Sequence, residues 1–235
     1  MPRSFQPNHI KHTTNHHPST ECNTTYGDCG CDNCVGQDDL VNVPARLDTW
    51  SRFSTQLGLP QKPLWATPQA FEKQDFWTRT PTPEEEAAMT MLSINHGAKG
   101  VIMWTFPTSD ELTDLTSRLG KVLVKQCAGW ILGAKLVRLD AEGFDATVWV
   151  DKEKKTALVS IVNGKHEPLT GALNLRLPEG VQATAVEDVL WGDGGWKVGA
   201  HGELSREGMP AVGVDLLAVK VDFAPLVTPG SVEIS

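Results

Sequence analysis

Two stretches decide the reading of this chain: Lys62–Phe71, KPLWATPQAF, and Gly97–Pro107, GAKGVIMWTFP. Each is a short apolar run of strand-forming residues that ends in polar and aromatic groups. Between them, Thr82 is placed to cap a helix, Pro83 suits its first position, and Glu84–Glu86 fall where acidic groups meet the positive helix end. Strand, helix, strand with chemistry gathered at the strand ends is the construction of α/β barrels and open α/β sheets. Gly100–Phe106 is expected as a strand whose unbroken apolar start implies burial on both faces. Too little sequence of this type is present to close a barrel.

Working outward, Pro44–Leu57 reads as a helix with Leu47, Trp50, Phe53 and Leu57 on one stripe, ended by Gly58 and Pro60. Ser109 or Asp110 opens another helix reaching about Cys127. After Gly133 the period changes. Phe144, Thr147 and Trp149 alternate with less apolar neighbours, and Ala157–Val162, Ala172–Leu177, Ala183–Leu190 and Val212–Phe223 follow between turn residues. Short strands punctuated this way predict an antiparallel β-sandwich. The expected organisation is a disordered tail over 1–21, a cysteine-rich loop over 22–40, an α/β part over 41–133, a β-sandwich over 134–225 and a flexible tail over 226–235. A protease-resistant piece starting near Gly133 is the corresponding expectation.

The 235 residues carry a formal charge of −8, which opposes nonspecific nucleic-acid binding. No apolar run is long enough to span a membrane, and Met1–Thr20 has no apolar core of a signal peptide. Cys22, Cys29, Cys31 and Cys34 lie in ECNTTYGDCGCDNC. Four thiolates can hold zinc, but this spacing is not a pair of Cys-x2-4-Cys knuckles. Two disulfides, with three possible connectivities, fit the same loop, and the Asn23 glycosylation sequon inside it favours them and a secretory origin. Cys127 reads as a buried small hydrophobe. No cofactor is expected; His9, His12, His16 and His17 of the polar start could bind a metal weakly, but they read as part of the disordered tail. The Gly-x-Ser-x-Gly elbow of a serine hydrolase is absent from the sequence.

The segments Trp65–Phe71, Arg79–Glu85 and Gly97–Gly100 leading to Trp104 resemble the seventh strand, seventh helix and eighth strand of a glycoside-hydrolase-type TIM barrel. The part after Gly133 resembles the β-sandwich that follows such barrels, and the Cys22–Cys34 loop resembles an insert of secreted fungal members. The resemblance implies a partial (β/α)8 barrel followed by a sandwich, and an oligosaccharide or polysaccharide substrate. It also implies an extracellular parent and a missing barrel portion, or self-association in its place.

Glycoside hydrolysis ordinarily uses two carboxyl groups flanking the scissile bond. The resemblance places one of them after the seventh strand, where this chain has Gln69, an amide that bonds a hydroxyl but neither attacks nor takes a proton. Glu72, three residues on, is the candidate catalytic carboxylate. Trp104 is the candidate sugar platform, with an indole face for the pyranose and an N–H for a hydroxyl. Phe71 and Phe106 are candidate pocket walls, Trp65 reads as core, and His96 as the residue finishing its helix. The chain is thus expected to be a fragment of a hydrolase of O-glycosidic bonds, inactive alone for want of a complete carboxylate pair. The other reading is a non-catalytic carbohydrate-binding or accessory protein.

Overall fold

The computed structural model describes residues 40, 42–60, 62–71 and 80–223. The expected tails at 1–21 and 226–235, and all four cysteines of the loop, lie outside these residues.

Helix α1 (Asn42–Gln56) ends where Gly58 takes a positive φ of 62°. Leu59 N–H then donates to Ser54 O and Gly58 N–H to Thr55 O, so two terminal carbonyls are satisfied. Only Leu47 of the expected stripe is buried; Trp50, Phe53 and Leu57 are exposed. The helix is where the sequence expects it, but Leu57 lies just past its end and the expected stripe is not a buried face beyond Leu47. Strand β1 (Leu64–Ala66) follows, and helix α2 (Pro83–Asn95) returns across it. Its start is built as the sequence predicts. The Thr82 hydroxyl accepts from Glu85 N–H at 3.2 Å, and the Glu85 carboxylate accepts from Thr82 N–H at 2.8 Å.

Strand β2 (Ala98–Val101) pairs in parallel with β1, and the pairing resumes beyond both at Gln69 and Trp104. Burial on both faces, expected for β2, is not found. Val101 and Met103 pack against the helices, whereas Ile102 is 57% and Trp104 58% exposed on the other face. The physical reason is that no further strand or layer covers that face among the described residues. For the same reason Trp65 is 59% exposed and not core. Its ring lies across Gly100, where an added Cβ would sit 2.5 Å from indole carbons.

Ser109 caps helix α3 (Asp110–Val122), which buries Leu112, Leu115 and Leu119. Beyond it the helix continues through one π-helical turn at Leu123–Cys127 into α4 (Ala128–Gly133), one turn and a half past the expected end. Cys127 is fully buried, and burial pushes its thiol up to about 12, consistent with an inert packing role.

The remaining strands are β3 (Leu136–Arg138), β4 (Asp145–Asp151), β5 (Thr156–Val162), β6 (Leu169–Leu175), β7 (Val181–Trp191), β8 (Lys197–Val198), β9 (Leu204–Met209) and β10 (Val214–Phe223). They form one sheet ordered β3-β4-β5-β10-β7 and another ordered β6-β9-β8, with antiparallel pairing throughout. The mixture of an α/β part and an all-β part is as expected.

Side-chain alternation in the larger sheet supplies two cores at once. Val148, Val159, Ile161, Leu217 and Val219 share a buried cluster with Leu173, Leu175 and Leu204 of the smaller sheet. From the opposite face, Trp149, Leu158, Val162 and Leu216 join Ala88, Met89, Met91 and Leu92 of α2 and Leu112 and Leu115 of α3. That second cluster crosses Gly133. The central strand β5 is therefore apolar on both faces, which is why its sequence lacks clear alternation.

Candidate functional site

The carboxyl ends of β1 and β2 meet through backbone bonds between the sequence-predicted residues. Trp104 N–H donates to Pro68 O at 2.9 Å, and Ala70 N–H donates to Trp104 O. Gln69 and Trp104 thus sit side by side. The Thr108 hydroxyl donates to Ala70 O at 2.6 Å, fixing the descending loop against the rim. The Trp104–Thr105 and Phe106–Pro107 peptide bonds are both cis.

The four candidate contacts divide by exposure. Gln69 is buried, and its amide nitrogen donates to Phe71 O at 2.9 Å, so this group holds the rim backbone in place. Phe71 is buried as well, whereas Trp104 and Phe106, the latter 81% exposed, present their rings outward. The rim therefore offers an aromatic surface backed by a fixed amide. Such a surface can stack on an apolar ligand face, and among the described rim residues there is no proton donor of the strength that bond cleavage requires. Glu72, the candidate carboxylate, and Asn23, the candidate glycosylation site, lie outside the described residues. Among the described residues no group of three or more His, Cys, Asp or Glu side chains is placed to hold a metal.

Two polar clusters were not legible in the sequence. His96 does more than finish α2: its Nδ1 lies 2.9 Å from Asp48 of α1 and its Nε2 2.8 Å from Asp145 of β4. Arg138 of β3 donates to both Asp48 oxygens, and Asn95 donates to Asp145 at 2.6 Å. Burial alone would push the imidazole pKa down; hydrogen bonds and charge from Asp145, then Asp48, outweigh it, and the pKa is raised. Burial likewise works to raise Asp48, but Arg138 and His96 hold it below its ordinary value. The partners lie 48 and 49 residues from His96 in the chain, so no local motif announces them.

The second cluster surrounds Asp215, which is buried and accepts from Gly194 N–H at 3.0 Å, Trp196 Nε1 at 2.9 Å and Arg206. It closes the Trp191–Trp196 turn against β10. Gly192, with φ of 92°, is required there, because an added Cβ would lie 2.1 Å from Val214 O. Nearby, an open cleft of about 390 Å³ is lined by Glu84, Arg118, Trp191 and Asp193, with the Arg118 guanidinium over the Trp191 ring.

No protein-family model matches the chain, and no curated protein matches it. Solved structures similar to parts of it include a debranching enzyme from Nostoc punctiforme, at 11% identity and a TM-score of 0.49 over 92% of this chain and 44% of that one. A GH30 endoxylanase from Clostridium papyrosolvens C71 matches at 14% identity and 0.41, over 74% of this chain and 44% of that one. An isomaltulose synthase mutant from Erwinia rhapontici NX5 matches at 9% and 0.33, over 54% and 23%. The chain spans less than half the length of each of these proteins. With every TM-score below 0.5, the likenesses establish no activity for it.

Proposed function

We propose that this chain recognises saccharide at the aromatic rim of β1 and β2, as the carboxyl-terminal part of a glycoside-hydrolase-type protein. In this reading, residues 41–133 correspond to the last two strands of a (β/α)8 barrel and residues 134–225 to its trailing β-sandwich. The parent hydrolyses O-glycosidic bonds in an oligosaccharide or polysaccharide, outside the cell. Asn23 glycosylation and disulfides among Cys22, Cys29, Cys31 and Cys34 belong to the same proposal.

The observation that carries it is the Trp104 indole, exposed at the end of a parallel strand pair and braced by backbone hydrogen bonds to Pro68 and Ala70 on either side of Gln69. An indole face matches the C–H face of a pyranose, and the ring N–H reaches a hydroxyl. Hydrolysis needs a proton donor and an opposing carboxylate; Gln69 and Trp104 at the described strand ends are neither. Binding without turnover is accordingly the expected behaviour of the chain by itself.

Calorimetric titration with a panel of neutral oligosaccharides, alongside a hydrolysis assay on the same panel, tests this. The intact chain should bind at least one member without cleaving it, and Trp104→Ala should weaken binding by roughly tenfold, about 1.4 kcal/mol. Equal affinity in the variant, or no binding by the intact chain, overturns the reading.

A further inference from the structure

We propose that Nδ1 of His96 is a proton-operated latch for α1: protonated, it holds Asp48; neutral, it turns to Arg138 and lets go of the helix. Two residues with opposite demands stand at this one atom. Asp48 Oδ1 lies 2.9 Å from it, and a terminal nitrogen of Arg138 lies 2.8 Å from it. A carboxylate only accepts hydrogen bonds, and a guanidinium only donates them. A protonated Nδ1 therefore serves Asp48 and has no lone pair for Arg138. An unprotonated one accepts from Arg138 and has no hydrogen for Asp48.

The other side of the ring fixes which nitrogen changes. Nε2 lies 2.8 Å from Asp145 Oδ2, while the other oxygen of Asp145 accepts from the Asn95 amide at 2.6 Å. Facing a carboxylate, Nε2 keeps its hydrogen in both states. The neutral ring is thus the Nε2–H tautomer, and the proton comes and goes at Nδ1. The charged groups that face the ring are Asp48 from α1, Arg138 from β3 and Asp145 from β4; α2 itself adds the uncharged Asn95.

The two ties on Asp48 are unequal. The His96 side chain is 8% exposed and anchored from behind by Asp145, so its bond to α1 is sheltered. Arg138 is 51% and Asp48 43% exposed, a pair that solvent screens. Losing the His96 bond leaves α1 with that surface pair and with Leu47 as its buried apolar anchor. Asp145 and Asp48 raise the imidazole pKa despite its burial, so the latch is closed below the ordinary 6.5 and opens as pH climbs through the folded value. None of these residues belongs to the Trp104 rim, and the inference does not rest on saccharide recognition.

Nitrogen-15 NMR of the full chain from about pH 5 to 9 reads the ring directly. Nδ1 should titrate while Nε2 stays protonated. Arg138→Met removes the donor to the neutral ring and should move the step to higher pH. Asp48→Ala removes the acceptor for the charged ring and should move it to lower pH. Amide exchange in α1 of the wild type, corrected for its intrinsic rise, should accelerate about tenfold across the step, the worth of one charge-assisted hydrogen bond. Asp48→Ala should lose that acceleration. An Nδ1–H neutral tautomer in the wild type, a step that either substitution leaves in place, or α1 exchange that ignores the step would each overturn the proposal.

Discussion

Replacing Glu86 by Gln should stabilise the protein at pH 8 and leave it nearly unchanged at pH 5. Glu86 stands in the first turns of α2, fully buried, and neither carboxylate oxygen finds a hydrogen-bond partner among the described residues. Burial is the main cause, and the neighbouring Glu85 charge adds to it, of a pKa raised from 4.5 to about 8. The unfolded carboxyl gives up its proton near 4.5, while the folded one keeps it to about 8. Over that window the native state binds the extra proton, so stability is complete below 4.5 and falls as pH rises. The slope is about 1.4 kcal/mol per pH step, which accumulates to roughly 4 kcal/mol by pH 8. That is a large share of the 5 to 15 kcal/mol, roughly, that holds a domain folded. Glutamine has nearly the same shape as the protonated acid and stays neutral throughout. Urea unfolding followed by far-ultraviolet circular dichroism, at pH 5 and pH 8 for both proteins, measures the effect. Taking the difference between the two proteins removes the titration of His96. A wild-type chain and a Glu86→Gln variant with parallel pH dependences would refute the reasoning, since Glu86 would then be charged and compensated in the native state.

His96→Gln addresses the junction of α1, α2, β3 and β4. Because the imidazole pKa is raised on folding, its stabilisation is full below the unfolded value of 6.5 and disappears as pH climbs through the folded pKa. Amide exchange in α1 should therefore accelerate with rising pH beyond the intrinsic chemistry in the wild type, and show no such added step in the variant. Isolated residues 134–223 should unfold at far lower urea concentration than the intact chain and bind a hydrophobic dye, because Trp149, Leu158 and Leu216 lose their cover from α2. A 134–223 piece as stable as the whole would instead bear out the expectation of an independent unit starting near Gly133.

Much of the local structure was legible because its causes are local. Thr82, Pro83 and Glu85 build the start of α2 from four consecutive residues, and Gly58 ends α1 through a conformation that glycine adopts freely. The strands after Gly133 fell close to their expected places, since turn residues separate them; β3, β8 and β9 escaped notice for being short or polar. The candidate rim was legible in part. Gln69 and Trp104 do meet, 35 residues apart, because parallel strands joined by a helix bring their carboxyl ends together. Which of the rim residues face outward was not legible, for exposure depends on what stands opposite.

The sequence by itself determined the caps and turns that bound the helix over Pro83–Asn95 and most of the longer strands, and which side chains share a stripe or a strand face. Only the tertiary structure decided which of those faces are covered. Trp50, Trp65 and Ile102 have the composition of core and stand exposed, whereas Glu86 has the composition of surface and is buried. Periodicity records a residue's direction relative to its own element. Burial and ionisation depend on neighbours supplied from distant parts of the chain, as Asp48 and Asp145 are supplied to His96.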